Sequence, residues 1–581
     1  MCGIVGYIGR REASPIIVDG LKKLEYRGYD SFGVAIIGSS LTVSKHQGRI
    51  AENANSAGSL QGKLGIGHTR WATHGIPNEI NSHPHTDCSG EIALVHNGII
   101  ENYAELKRAL LAQGHTFRSD TDTEVIVHLI EDRYKETQDL LSAVQATLPS
   151  LKGSYAILVI RNGEDRLIAA RCASPLVLGV GDGEYFAASD MTPLIEHTER
   201  AVFLEDGDIA SVSRTSVAIF HGNEPVNRPI ELVDLRLEDV KKGGFAHYML
   251  KEIYEQPQAF YNTIQAVRDL SLSPEITCIS PITLVACGSS FNAGLIFKYL
   301  LEEAGNIPAR IEFGSEFKYF PPPVGGTVIG ITQSGETADT ISALLQAKAQ
   351  NCCTIAITNV LGSSVSRVAD RTIFMRAGPE ISVAATKSFV TQLAVLMQMV
   401  NRLSENTYDE ILAHGHHVIE ELLLMDFSDA VDLCMTAQSI FYVGRGAFYP
   451  VSLEGALKMK EIAYIHAEGY AAGELKHGPF ALLSPKTPVI AICMPGKTYG
   501  VMISNIKEMK ARGAPVIALG SAGDKELIDI VDLYLPLPGN NVFVQVLASL
   551  VALQLIAYYT AVALGKDVDK PRNLAKSVTV E

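Results

Sequence analysis

A cysteine at the second position could do chemistry of its own. Trimming of Met1 from Met1-Cys2-Gly3-Ile4-Val5-Gly6 would leave Cys2 with a thiol and a free α-amine on one carbon. An α-amine titrates near ~7.7–8.0, so it can take the thiol proton around neutral pH without a separate histidine. The same position also suits an ordinary buried cysteine at the start of a strand. Three polar clusters bear on the choice: Tyr26-Arg27-Gly28-Tyr29-Asp30-Ser31, His68-Thr69-Arg70-Trp71-Ala72-Thr73-His74-Gly75 and His96-Asn97-Gly98-Ile99-Ile100-Glu101-Asn102. Acyl transfer from an amide needs a nucleophile, donors for the oxyanion, and groups that hold the substrate's charged end. Asn97 and the Gly98 N–H can supply the donors. Arg70 can form a bidentate pair with a carboxylate, and Asp122 can pair with an ammonium. That set suits an α-amino acid with a side-chain amide, glutamine. Each member also has a structural alternative: Asn-Gly signals a hairpin turn, Arg-Trp a surface stack, and Asp122 a helix cap. The histidines and cysteine at 68, 74, 83, 85, 88 and 96 have neither zinc-finger nor H-E-x-x-H spacing, so no metal site is expected.

A second group of residues suits an anionic ligand. Thr332-Gln333-Ser334-Gly335-Glu336-Thr337 follows a short apolar run and precedes a helical pattern, so its hydroxyls and N–H groups would face the positive end of a helix dipole. This is a phosphate cradle without a lysine, and Cys287-Gly288-Ser289-Ser290 offers a second hydroxyl-rich loop. Ser and Thr helix caps with no ligand are the alternative. Gly496-Lys497-Thr498 is not a P-loop, because Ala491 stands where the first glycine is needed, so ATP binding is excluded. Glu454, Lys458 and Glu461 would share a helix face, as catalytic groups or as a solvated salt-bridge array. The glycine-rich stretch Glu468 to Pro479 carries His477, and the chain closes on the polar tail Pro571-Arg572-Asn573-Leu574-Ala575-Lys576 to Glu581.

These residues need a large folded scaffold. The chain has 581 residues, 47% hydrophobic and 19% charged, which indicates several folded domains rather than disorder. Its 49 basic against 64 acidic residues give a net charge of −15, which argues against a general grip on nucleic acid. Nine scattered cysteines without a C-x-x-C pair fit a reducing compartment. No leader precedes Cys2, and a cytoplasmic protein is expected. The apolar stretch Val542 to Leu564 could span a bilayer by length, but Gln545, Ser549, Gln554 and Thr560 interrupt it, so it reads as a buried core helix and no membrane is expected.

Residues 2–222 contain short apolar runs such as Gly33–Ile37, Ile92–Val95, Tyr155–Ile160 and Pro175–Gly179, with helical patterns over Glu101–Gln113 and Thr123–Tyr134 between them. An α+β sandwich is predicted. Residues 223–247 read as a linker. Beyond it the pattern becomes strand, Gly/Ser loop, helix, the mark of parallel α/β units. Thr283–Phe291, Val328–Thr337 and Thr354–Thr358 recur as Ile440–Phe448, Val489–Thr498 and Val516–Gly520, a shift of about 160 residues. Two lobes are therefore expected, over 248–425 and 426–570, followed by a tail over 571–581.

The N-terminal motifs resemble the class II glutamine amidotransferases, of the N-terminal-nucleophile αββα fold. That resemblance implies Cys2 as nucleophile, Asn97 and Gly98 as oxyanion hole, and Arg70, Trp71, Thr73, His74, Gly75 and Asp122 around glutamine, with Trp71 as tunnel gate. Phe32 departs from it, since a small alanine is expected after Tyr-Asp-Ser. The Thr332–Thr337 loop and the tandem repeats resemble sugar isomerase domains. With Leu453-Glu454-Gly455-Ala456-Leu457-Lys458, Gly473-Glu474-Leu475-Lys476-His477-Gly478-Pro479 and the terminal tail, the chain is similar to amidotransferases acting on fructose 6-phosphate. That resemblance implies glucosamine 6-phosphate as product, no cofactor or metal, and sugar phosphate held by Ser289, Ser290, Thr332, Gln333, Ser334, Thr337, Val383 and Ala575. It further implies Lys576 as Schiff-base lysine, Glu461 and Lys458 in proton transfer, and His477 in ring opening, reaching in from a neighbouring subunit of a homo-oligomer that is at least a dimer. Thr332, Ser289 and Ala385 depart mildly from the pattern, standing where Ser, Thr and Ser are expected.

Overall fold

The computed structural model describes residues 2–578 apart from 72–74, 234–240, 269–280, 306, 322–324 and 406, and apart from the side chains at 52, 55 and 56. The chain forms two compact units, Met1–Val240 with Ala575–Glu581, and Lys241–Leu574.

In the first unit, Gly3–Ile8 lies inside an eight-stranded antiparallel sheet between Leu64–Arg70 and Tyr185–Ala188, and Ser31–Ile37 pairs with the outer side of Leu64–Arg70. Ile92–Ile100 lies near one end of a seven-stranded antiparallel sheet, against Gly153–Arg161. Strand alternation decides what each side chain meets. Ile4, Ile66, Val95, Leu158 and Ala169 fill the core between the sheets, whereas Leu94, Ile157 and Val159 point outward to the helices Glu124–Thr137 and Leu140–Thr147. On the other outer face the helix Ala13–Lys23 sits so close that a side chain at Gly67 would meet Ile17 and Leu21. The result is the four-layer αββα sandwich. Phe32 is buried, stacked on His46 with ring centres 5.1 Å apart. The stretch predicted as a linker is shorter than expected, because Glu224–Val226 and Glu231–Leu232 pair as edge strands.

The second unit holds two five-stranded parallel sheets. The first runs Ala309–Phe313, Ile282–Ala286, Thr327–Ile331, Cys353–Thr358, Arg371–Phe374, and the second runs His466–Ala471, Ser439–Gly444, Val489–Cys493, Val516–Ser521, Leu533–Leu537. Both follow chain order 2-1-3-4-5. In that order the chain leaves the first and third strands in opposite directions, opening a crevice at their carboxyl ends. The loop Thr332–Thr337 sits at that crevice in the first lobe, and so do Ser289 and Ser290, which form the first turn of the helix Gly288–Gly305 rather than the loop expected there. One apolar core, including Phe389, Leu393, Leu550 and Leu553, joins the lobes. Val542–Ala563 is long and apolar enough to cross a membrane, yet 83% of its most apolar window is buried inside this unit.

Candidate active sites

Cys2 precedes the strand Gly3–Ile8, and pairing of Gly3 with Thr69 carries the start of that strand beside Trp71. The Trp71 N–H donates to Cys2 Sγ at 3.3 Å. Burial raises the thiol above the usual cysteine range, offset only in part by the Trp71 hydrogen bond and the Arg70 cation, so the resting sulfur is protonated and needs a base.

Asn97 Nδ2 donates to the Cys2 carbonyl at 2.9 Å, which places the amide at the nucleophile. Its orientation is set by His68. The His68 Nε2 faces two acceptors, the His96 carbonyl at 3.0 Å and Asn97 Oδ1 at 3.1 Å, so Nε2 carries the proton and the Asn97 NH2 is turned toward Cys2. Burial, with the nearby Arg70 cation, pushes His68 down to about 3 and keeps it neutral. Gly98 follows within Ile92–Ile100 at φ +134°, and a Cβ there would lie 2.0 Å from the Ser154 carbonyl oxygen. Asn97-Gly98 is therefore strand, not a hairpin turn, and only glycine fits.

Asp122 is buried and accepts from the Ile100 N–H at 2.8 Å, which ties it to the same strand end instead of capping the following helix. Arg70 is buried and donates through Nη2 to the Gly75 carbonyl at 3.2 Å. Thr73 and His74 lie outside the described residues. The Tyr26–Ser31 cluster backs this region: a side chain at Gly28 would meet the Arg70 and Trp71 backbone at 2.7 Å, and Arg27 pairs with Asp190 at 2.6 Å. Sequence spacing did not single out His68, Ser189, which accepts the Ile4 N–H, or Asp190. Their one signal was a polar residue inside or just after an apolar strand.

In the second unit, Thr332 Oγ1 and Thr337 Oγ1 lie 2.8 Å apart, the Glu336 N–H donates to Ser334 Oγ at 3.1 Å, and the Gln333 carbonyl accepts from the Asn359 N–H at 3.1 Å. Gly335, at φ +67°, lets the loop pack on Ser363. The neighbouring helix start is anchored too: Ser290 Oγ accepts from Gln392 at 2.9 Å, and Ser289 Oγ donates to Glu454 at 2.9 Å and accepts from Lys458 at 3.2 Å. Lys458 Nζ in turn lies 2.5 Å from Glu461 and 3.3 Å from Glu454. Burial alone would depress this ammonium, but Glu461 and Glu454 overcome it and hold it above the ordinary lysine value. Glu461 sits on a π turn, Met459–Ala463, that continues the helix Phe448–Lys458. The bland alternative of a solvated salt-bridge face fails, since Glu454 and Lys458 are fully buried.

Tyr464, just after that turn, accepts the Arg572 N–H at 2.7 Å, so the chain ahead of Lys576 is fastened beside the Glu461 turn. Lys576 and Ala575 are half-buried in the tail that groups with the first unit. The Val383 N–H donates to the Asp569 carbonyl at 3.0 Å, and Ala385 is half-buried. His477 is exposed at the end of a short 3-10 helix. Gly496-Lys497-Thr498 lines a separate cleft of about 830 Å³ between the two lobes, whose first-lobe wall includes Tyr299, Glu302 and Glu303.

The SIS domain family matches residues 275–402 and 435–564, and the glutamine amidotransferase domain family matches 68–196. Over the whole of both chains, this one is 47% identical to the glutamine–fructose-6-phosphate aminotransferase [isomerizing] of Thermococcus kodakarensis and 45% identical to that of Methanosarcina acetivorans. The solved C-terminal domain of glucosamine-fructose-6-phosphate aminotransferase from Francisella tularensis aligns along its full length with 57% of this chain, at 36% identity and a TM-score of 0.52.

Proposed function

The chain belongs to the glutamine–fructose-6-phosphate aminotransferase [isomerizing] family, converting glutamine and fructose 6-phosphate to glutamate and glucosamine 6-phosphate, and from this premise we propose how its residues divide the work. Once Met1 is removed, the Cys2 α-amine takes the thiol proton and Sγ attacks the glutamine amide carbon. Asn97 Nδ2 and the Gly98 N–H stabilise the tetrahedral oxyanion, Arg70 binds the α-carboxylate, and Asp122 binds the α-ammonium. Trp71, Thr73, His74 and Gly75 complete the glutamine cradle. Ammonia leaves, and water hydrolyses the thioester to glutamate. The observation that carries this reading is the Asn97 amide, locked by His68 and already within 2.9 Å of the Cys2 carbonyl.

Fructose 6-phosphate binds with its phosphate on Thr332, Gln333, Ser334 and Thr337, flanked by Ser289, Ser290, Val383 and Ala575. His477 opens the ring, supplied by a neighbouring copy of the chain, so the working form is at least a dimer. Lys576 forms a Schiff base at C2, releasing water, and ammonia displaces the lysine. Glu461 then moves a proton between C1 and C2. Lys458 assists proton transfer at the sugar hydroxyls. The Lys458–Ser289 hydrogen bond supports this assignment, because it links the Glu461 turn to the helix start beside the phosphate cradle. These steps use only side chains, with the protein in the cytoplasm and no nucleic acid or membrane involved.

With amide-15N glutamine and fructose 6-phosphate, the purified chain yields 15N-labelled glucosamine 6-phosphate. Label recovered only as free ammonium would overturn the reading.

A further inference from the structure

Four side chains outside the proposed glutamine site converge in the first unit. Cys88 Sγ lies 3.4 Å from His115 Nδ1 and 3.6 Å from His128 Nδ1, while Glu131 Oε2 lies 3.3 Å and 3.4 Å from the same two nitrogens. All four ligand atoms fall within 4.8 Å of one another. A tetrahedral zinc ion has bonds of about 2.0–2.1 Å to nitrogen or oxygen and about 2.3 Å to sulfur, so its ligand atoms stand roughly 3.3–3.6 Å apart. Four of the six edges match that figure, and the other two, Cys88 to Glu131 and His115 to His128, lie within 4.8 Å.

The surroundings orient these atoms as metal ligands. His115 Nε2 faces Asp132 Oδ2 at 3.0 Å, and His128 Nε2 faces Glu124 Oε1 at 3.6 Å. The Asp132 carboxylate behind His115 places that ring's proton on Nε2 and leaves its Nδ1 lone pair pointing inward, and with the Glu124 carboxylate on its far side His128 can take the same tautomer. Two imidazole nitrogens, a carboxylate oxygen and a sulfur then face one another; the Cys88 N–H donates to Glu131 Oε2 at 3.1 Å, the Thr116 N–H serves the sulfur, and Lys135 pairs with the other Glu131 oxygen at 3.1 Å, which leaves the two ring nitrogens. Two buried ring nitrogens facing a carboxylate oxygen and a sulfur are costly to leave unsatisfied, and a cation at the centre removes the cost. One thiolate and one carboxylate balance the two charges of Zn2+. His128 and His115 are buried while Cys88 is exposed, which gives a hydrated ion a way in.

We propose that Cys88, His115, His128 and Glu131 form a structural Zn2+ site. The ligands come from three segments: the turn before Ile92–Ile100, the loop after the helix Tyr103–Ala112, and one face of the helix Glu124–Thr137. Asp122 lies on the stretch between His115 and that helix, so the ion fastens the segment that carries it to the neighbouring sheet. Four protein ligands leave no open position, which makes the ion a clamp rather than a Lewis acid for the reaction. The expectation of no metal weighed Cys88 together with the histidines at 68, 74, 83, 85 and 96, a different set from this one. The site escaped spacing rules because its ligands are far apart in sequence and assemble only when the helix packs on the turn.

The test uses the full chain carrying Cys2→Ala, so that the reactive thiol does not compete for metal. After chelation and dialysis, Co2+ titration is expected to reach one equivalent per chain, with the visible bands of a tetrahedral site and a near-ultraviolet sulfur charge-transfer band, both abolished by added Zn2+. Cys88→Ser should lose the charge-transfer band and Glu131→Gln should weaken Co2+ binding at least tenfold, while added Zn2+ raises the thermal midpoint of the first unit only when the four ligands are intact. The proposal is overturned if the Cys2→Ala chain takes up no Co2+ or Zn2+, or if the Cys88→Ser and Glu131→Gln chains bind as it does.

Discussion

Lys458 Nζ stands 2.5 Å from the Glu461 carboxylate, in an interior that also encloses Glu454 at 3.3 Å. The pair joins a structural debt to a catalytic use. Two carboxylates are tolerated there because an ammonium lies between them, and one of the two, Glu461, is the proposed proton carrier. Lys458→Met should therefore destabilise the second unit by ~3–5 kcal/mol, the range for leaving buried charge unpaired. Adding Glu454→Gln should restore part of that loss. Calorimetry of the two variants measures it, and an unchanged transition for Lys458→Met would refute the pairing.

If Asn97 serves the oxyanion as proposed, Asn97→Ala removes that donor and leaves the sugar-site residues in place. Glutaminase kcat should fall by about 10²–10³, the usual cost of one such donor. Ammonia-dependent synthesis of glucosamine 6-phosphate should stay within about twofold of wild type.

The first unit should lose stability in mild acid. Burial, reinforced by the Arg70 cation, lowers His68 to about 3, against ~6.5 in an unfolded chain. Between those values the unfolded chain binds a proton that the native one does not, so native stability falls as pH drops through that window, by up to ~1.4 kcal/mol per unit for this one group. Burial likewise lowers His83 and His85, so the total slope exceeds one proton. His68→Gln keeps a donor toward Asn97 and has nothing to titrate. Its unfolding free energy, followed from pH 7 to pH 4, should show a slope smaller by about one proton; an unaltered slope would show that His68 is not buried neutral.

Thr332→Val with Thr337→Val deletes both facing hydroxyls of the phosphate loop while keeping its volume. KM for fructose 6-phosphate should rise at least ~10-fold, since each hydrogen bond to a charged group contributes ~1.5–3 kcal/mol. KM for glutamine should not move. Initial rates with each substrate varied in turn distinguish this from a general loss of folding.

Much of the architecture was legible because it rests on local pattern. Alternating runs such as Tyr155–Ile160 mark half-buried strands, and the repeated strand–loop–helix order marks two parallel lobes before either is seen. Asn97, Gly98 and Asp122 were legible as chemistry, but whether they were turn, cap or site depended on tertiary geometry, and the Ile100–Asp122 hydrogen bond shows Asp122 tied to the strand rather than capping the helix. His68 was hidden for another reason. Its task depends on strand register, with Ile4 opposite His68 and Asn97 reaching across from the other sheet, and no sequence interval encodes that. Cys88 was weighed with the wrong partners, and Glu131, His115 and His128 were hidden in the same way as His68. The linker over 223–247 was overdrawn because polar, proline-bearing residues also suit edge strands, as Glu224–Val226 demonstrates.

The central claim is that a cysteine at one end of the chain makes ammonia and a lysine at the other end fixes it to sugar. The most direct measurement is glucosamine 6-phosphate formation by wild type, Cys2→Ala and Lys576→Ala, each given fructose 6-phosphate with either glutamine or high ammonia. Wild type should make product from both nitrogen sources, Cys2→Ala slowly and from ammonia alone, and Lys576→Ala from neither. Product formed from glutamine by Cys2→Ala, or from ammonia by Lys576→Ala, would contradict it.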